Sequence, residues 1–341
     1  MEINKDILKW WIDQDPLSSE ELKLVSSYAP ENNWNSVKSM LDWDLDQQLI
    51  DRCPFNNLQG DFTVSISKCA TDIINWLFDT FVEEDTLVVS SKDEHESTRA
   101  NFKKCNNLYL VDTLRMRHSD VSGIIQESKK YKKVFIYIIG THISSGEVTP
   151  NSFFINLKKE LFKNKIQHIM VLDDVQGMYL VPRDYSIFDY IVGTAHSLVI
   201  HFNAGILIYR KGLPSCGIDR CLNPLDKYLN CLDIVLSRRK KLFQFQSVMA
   251  EVCQKWISLE DKFKRSEYSV PNVFSMVTNQ SGFTLEHHEI FRKHYIHLDG
   301  ADVSNYKNIT IRFRAQEFLA ESSMLLDGLD KLDILLEEIL Y

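Results

Sequence analysis

Short apolar runs alternate with helix-length amphipathic segments from residue 62 onward. Phe62-Thr63-Val64-Ser65-Ile66-Ser67 alternates apolar and polar positions, the two-residue period of a half-buried strand. Its apolar spacing then switches to the helical period, which predicts a helix over 72–81. Further strands are predicted at 86–90, 108–111, 134–139, 169–172, 189–192 and 204–210, with helices at 121–130 and 152–164. Ser119 or Asp120 is the candidate cap of the helix at 121–130. Strands alternating with helices at this spacing predict an α/β fold with a mostly parallel sheet. Before residue 50 the pattern predicts short helices, with Ser18-Ser19-Glu20-Glu21 as a start signal and Trp10, Trp11, Trp34 and Trp43 as packing residues. Beyond Gly212 a long helix is predicted from 222 to about Phe263, a strand at 308–314, and a closing amphipathic helix at 325–340. That last helix carries its apolar stripe at Leu325, Leu326, Leu329, Leu332 and Leu336.

Composition narrows the picture. A length of 341 residues suits one large domain or two intimate ones, and 44% apolar with 25% charged residues is ordinary for a globular protein. The net charge of −8 argues against nucleic acid as a partner, because phosphate binding needs a basic face. Arg238-Arg239-Lys240-Lys241 reads as a solvated helix face. No run approaches the ~18 apolar residues that span a bilayer, and the acidic start is unlike a signal peptide, so no membrane partner and a cytoplasmic location are expected. The seven cysteines (Cys53, Cys69, Cys105, Cys216, Cys221, Cys231 and Cys253) are scattered and complete no zinc pattern, so packed, reduced thiols and no metal site are expected.

Candidate chemistry gathers at the ends of the predicted strands. The run Ile169-Met170-Val171-Leu172 stops at Asp173 and Asp174, followed by Val175-Gln176-Gly177. Carboxylates at the C-terminal end of a buried strand stand where open α/β sheets place their ligands. Lys68-Cys69-Ala70-Thr71 forms a strand-to-helix junction, whose unpaired N–H groups make a ready phosphate site. Other strand ends lead into Asp93-Glu94-His95-Glu96-Ser97, Gly140-Thr141-His142-Ile143-Ser144-Ser145-Gly146 and Gly193-Thr194-Ala195-His196-Ser197.

In this order and spacing the motifs resemble the fold-type I pyridoxal 5′-phosphate (PLP) enzymes, most of all their class V aminotransferase and cysteine desulfurase branch. The resemblance implies a fold-type I PLP-transferase-like fold: a large domain over 50–212 with a mostly parallel sheet, and a smaller α+β domain from 1–49 and 213–341. It assigns Asp173 to the pyridine nitrogen, Gln176 to the ring hydroxyl, and His95 to stacking on the ring. Lys68, Ala70, Thr71 and Thr194 match the phosphate cup, with Cys69 where the family has glycine. Ser144 or Ser145 stands where a family asparagine supports the ring hydroxyl. Arg312, in Ile309-Thr310-Ile311-Arg312-Phe313, matches the arginine that grips a substrate carboxylate. His196 matches the residue before the Schiff-base lysine, and the lysine position holds Ser197.

Three readings follow from that replacement. In one, the chain is a PLP-dependent, aminotransferase-like enzyme acting on an amino acid or other small amino substrate. PLP or pyridoxamine phosphate is then held non-covalently, and His196 or His142 moves protons where Ser197 supplies little acid–base catalysis. In another, it is a pseudoenzyme that serves as a binding, sensing or scaffolding subunit. In the third, Ser197 is an introduced change in an ordinary enzyme. Set against all three is a shared α/β architecture with no shared function. The resemblance also implies a homodimer.

Overall fold

The structure, a computed structural model, describes residues 61–67, 69–142, 147–178, 181–194 and 205–216, and beyond these only four short strand segments. By its backbone contacts the chain divides into two units. One comprises Ser19–His142 and Val148–Val235; the other comprises Met1–Ser18, Ile143–Glu147 and Leu236–Tyr341.

In the first unit, seven strands form one sheet: β1 (Phe62–Ser67), β2 (Thr86–Ser91), β3 (Asn107–Val111), β4 (Lys133–Ile139), β5 (His168–Asp173), β6 (Tyr190–Thr194) and β7 (Gly205–Arg210). Their order across the sheet is β1-β7-β6-β5-β4-β2-β3. β7 runs antiparallel to both its neighbours, and the β6-β5-β4-β2-β3 pairings are all parallel. The connecting helices are α1 (Ala70–Phe81), α2 (Glu96–Arg99), α3 (Thr113–Arg117), α4 (Ser122–Ser128) and α5 (Asn151–Lys163).

Helix α1 shows why these elements pack as they do. Its buried residues are Ile73, Ile74, Leu77 and Phe78, one face at helical spacing. They join Val88, Phe135, Tyr137, Val171, Tyr190, Val192 and Leu207 in a single core cluster. Burying four such side chains contributes about 6–12 kcal/mol. Phe78 lies edge-on to Phe135 at 5.2 Å, and Phe81 stacks on the same ring at 6.0 Å. Residues of the opposite parity, among them Ile136, Ile138, Met170 and Leu172, are also fully buried. Burial of both faces explains why the central strands read as continuous apolar runs. Helix α5 buries Phe153, Phe154, Leu157 and Leu161, and the Phe154 ring meets Phe188 edge-on at 4.9 Å.

Several boundaries differ from the sequence expectation. Helix α1 begins at Ala70 rather than residue 72, because Cys69 takes the N-cap position in an extended conformation. The cap of α4 falls to Val121, while Asp120 Oδ1 accepts the Ser122 N–H at 3.0 Å from one residue further back. Ser119 does not cap; it turns the chain with φ 52°. β5 runs one residue beyond the apolar run and ends on Asp173 itself. β6 begins at Tyr190, because the Asp189 carboxylate accepts the Met170 N–H at 2.8 Å. The short helices α2 and α3 have no apolar period and were not expected.

In the second unit, β8 (Phe263–Arg265) pairs with β10 (Met276–Thr278), and β9 (Val273–Phe274) with β11 (Phe313–Arg314), both antiparallel. Phe263 therefore opens a strand where the sequence suggested the end of a helix. The rest of that predicted helix, the N-terminal helices and the helix at 325–340 lie outside the described residues.

Candidate functional site at the strand ends

Asp173 closes β5, is only 3% exposed, and pairs in register with Ile139 of β4 and Val192 of β6. Side chains alternate along a strand, so Asp173 shares a face with Val171, whose partner on β4 is Tyr137. The Tyr137 hydroxyl reaches along that face and donates to Asp173 Oδ2 at 2.6 Å. Asp173 Oδ1 accepts the Val175 N–H at 3.1 Å. Burial raises the Asp173 carboxyl above the ordinary aspartate range; the Tyr137 and Val175 bonds and the nearby His95 pull it back, and Asp174 opposes them. Among the described residues no Lys or Arg forms an ion pair with Asp173.

The loop after β2 supplies the other side of this acid. Glu94 is buried, and its Oε1 accepts N–H groups from Ile139 at 2.9 Å and Ser91 at 3.4 Å. Burial, then repulsion from Asp173, pushes the Glu94 carboxyl well above its usual range. His95 caps α2, its Nδ1 lying 2.7 Å from Ser97 Oγ and accepting the Ser97 N–H at 3.2 Å. That bond fixes the ring position and leaves the residue exposed beside Asp173.

Asp174 has a different role. Its side chain and that of Arg183 are both fully buried, with Nε 3.3 Å from Oδ1, and Tyr185 donates to Oδ2 at 2.6 Å. Arg183 also donates to the carbonyls of Thr149, at 2.9 Å, and Gly140. The arginine thereby ties the turn after β5 to both ends of the loop after β4. Gly177 sits in the same knot, since a Cβ there would lie 2.6 Å from Thr141 Oγ1.

The phosphate side of the resemblance falls on the opposite flank of β5. Gly205 of β7 pairs with Ser67 of β1 and with Thr194 of β6, placing all three in one row across the sheet. Gly205 also abuts the start of α1: a Cβ would lie 2.6 Å from the Ala70 nitrogen and closer still to the Cys69 carbonyl. The 12-residue helix thus starts directly behind this row, and Cys69 gives it no side-chain cap. Cys69 has φ −158°, which any residue adopts, so cysteine in the family's glycine position carries no backbone strain. Ser67 Oγ is buried with no hydrogen-bond partner among the described residues. Ala70 is the first helical residue, Thr71 is exposed in the first turn, and Thr194 is 4% exposed.

The sheet therefore brings Asp173, Gln176, Thr194, Ala70, Thr71 and His95 to one end, the end at which β1, β2, β5 and β6 finish. Gln176 is 7% exposed in the turn after Asp173, and His142 is 2% exposed after β4. Lys68, Ser144, Ser145, His196, Ser197 and Arg312 lie outside the described residues. Sequence reasoning passed over Tyr137 and Glu94. Tyr137 was absorbed into an apolar run although it is the one hydroxyl there, at the parity that faces Asp173. Glu94 is one of several polar residues in the segment that follows β2, and nothing in the sequence separates it from them. A buried donor set of this kind, with an acid that has no Lys or Arg partner among the described residues and a helix start without a side-chain cap flanked by hydroxyls, fits PLP: Asp173 would hold the ring nitrogen, and the α1 start with Ser67 and Thr194 the phosphate. Among the described residues no helix is long and apolar enough to cross a membrane.

No protein-family model matches the chain, and no curated protein does. Solved structures do. A NifS-like protein from Rickettsia africae is similar with TM-score 0.61 at 13% identity, over 83% of this chain and 85% of that one. Another NifS-like protein has TM-score 0.63 at 14% identity, over 96% and 97%. A serine palmitoyltransferase variant from S. paucimobilis, with bound PLP–myriocin aldimine, has TM-score 0.61 at 12% identity, over 96% and 86%. With the mostly parallel seven-stranded sheet and its helices, these matches establish that the chain has a fold-type I PLP-transferase-like α/β fold.

Proposed function

We propose that the chain is an aminotransferase-like protein that binds PLP or pyridoxamine phosphate non-covalently and acts on a small amino substrate. The observation that carries this reading is Asp173: a carboxyl buried at the end of β5, bonded among the described residues by neutral donors only, with His95 beside it. An unpaired acid in that position costs stability unless a cationic ligand group answers it. PLP, when bound, supplies an electron-accepting ring. Asp173 then keeps a proton at the ring nitrogen, His95 limits the tilt of the ring, and the start of α1 with Thr194 and Thr71 anchors the phosphate. His142 or His196 moves the substrate proton that a lysine would otherwise carry, since Ser197 has no amine. Arg312 receives a substrate carboxylate. Residues 50–212 form the binding part of this reading, and the protein acts as a homodimer.

The test begins with PLP added to the wild-type protein. It should bind without developing the absorbance of a protein-bound imine, and borohydride should not fix it to the chain. Ser197→Lys should gain both properties. Covalent trapping by the wild type would refute the lysine-free reading. PLP binding without turnover of any amino acid or amino sugar would favour the pseudoenzyme. Turnover that is lost in His196→Ala or His142→Ala identifies the proton carrier.

A further inference from the structure

Two acids meet where one would serve. Asp173 and Glu94 are both buried, they repel one another, and no Lys or Arg is paired with either among the described residues. Their surroundings are unequal. Both Asp173 oxygens have donors, a hydroxyl at 2.6 Å and an N–H at 3.1 Å. Glu94 accepts its two backbone N–H groups on Oε1, with the Ser90 hydroxyl close to the carboxyl; its Oε2 is buried with no hydrogen-bond partner among the described residues. A carboxylate needs donors on both oxygens to hold its charge out of water, whereas a protonated carboxyl keeps its carbonyl oxygen as the acceptor and tolerates a poor environment at the hydroxyl.

We propose that Glu94 and Asp173 are a two-acid, one-charge pair: Glu94 holds a proton, and Tyr137 steers the remaining negative charge to Asp173, where a ligand's cationic ring nitrogen sits. The ligand part of this assignment rests on the proposed function; the charge pairing does not. The other groups facing the pair among the described residues are His95, next to Glu94 in the chain, Asp174 on the far side of Asp173, the Ser90 hydroxyl near Glu94, and the backbone N–H groups of Ser91, Ile139 and Val175. A dianionic pair would overbalance one pyridinium and would repel itself before any ligand arrived. A single charge matches the ligand. Tyr137 and Glu94 are positioning residues, since they act through Asp173. The raised Glu94 carboxyl agrees with this division.

Two arms test it. The first uses no ligand. A Glu94 that keeps its proton in the folded state, but loses it at the ordinary value of about 4.3 when unfolded, makes stability fall as pH rises through that window. Glu94→Gln has no proton to lose and still accepts from Ile139 and Ser91. Melting temperatures from about pH 5 to pH 9 should therefore show the variant gaining on the wild type as pH rises. Parallel curves would overturn the pairing. The second arm measures affinity for PLP and for its analogue with carbon in place of the ring nitrogen. Tyr137→Phe should weaken PLP by about ten-fold or more, the worth of a hydrogen bond to a charged group, and leave the analogue unchanged. Glu94→Gln should bind both at neutral pH as the wild type does. Equal weakening of both ligands by Tyr137→Phe, or a ten-fold change in the PLP preference of Glu94→Gln, would overturn it. A wild type that binds neither ligand refutes the proposed function, and the pH comparison still decides the pair.

Discussion

Arg183→Met is the variant that most directly tests how the site is braced. The guanidinium is completely buried, pairs with Asp174 at 3.3 Å, donates to the carbonyls of Thr149 and Gly140, and lies 5.7 Å over the Phe154 ring. Methionine keeps the packing over Phe154 and removes all donors. Breaking a fully buried ion pair from one side costs about 3–5 kcal/mol, because the surviving charge is stranded. Asp174 has a partial escape: burial already raises its carboxyl, and the Tyr185 bond stays. It can take up a proton at about 1.4 kcal/mol per pH unit, so the loss should fall at the lower end, about 3 kcal/mol. The assay is urea denaturation followed by circular dichroism, for Arg183→Met, Asp174→Asn and the double variant. The double variant should be less destabilised than the sum of the singles by roughly 1–3 kcal/mol, the coupling of a direct contact. The Arg183→Met deficit should also shrink on acidification, since a carboxyl raised in the folded state loses its stabilising contribution as pH rises. A loss below about 1 kcal/mol, or additive singles, would mean that the pair braces nothing.

Three shorter predictions accompany it. Gly205→Ala should destabilise by about 1–3 kcal/mol, because its Cβ would meet the Cys69 and Ala70 backbone. Gly193→Ala should cost less, since its Cβ meets the flexible end of Met178; equal urea midpoints would contradict this geometry. Asp173→Asn should lose PLP affinity by at least about ten-fold yet melt no lower than the wild type without ligand, because it removes a buried charge. A clear drop in its melting temperature would show that the carboxylate is structural. The Thr71→Ala, Thr194→Ala double variant should bind PLP and inorganic phosphate more weakly than the wild type in fluorescence titrations; unchanged binding of both would remove the hydroxyls from the phosphate cup.

The sequence by itself determined the α/β class, the centres of the strands and the residue types at their ends. Those features are local: a buried strand needs an apolar run, a helix needs its period, and Asp173 is conspicuous because an acid ends such a run. The sheet order and the one antiparallel strand, β7, were not legible, since apolar runs carry no direction or neighbour. The two acids after Leu172 looked equivalent in the sequence; the fold gave one to Arg183, while the other has no such partner among the described residues. Tyr137 and Asp173 are 36 residues apart, and Glu94 reaches Ile139 across 45. Such contacts depend on register between strands. A single-residue slip would turn Tyr137 to the other face, so only the assembled sheet decided that a hydroxyl and a second acid stand behind the first.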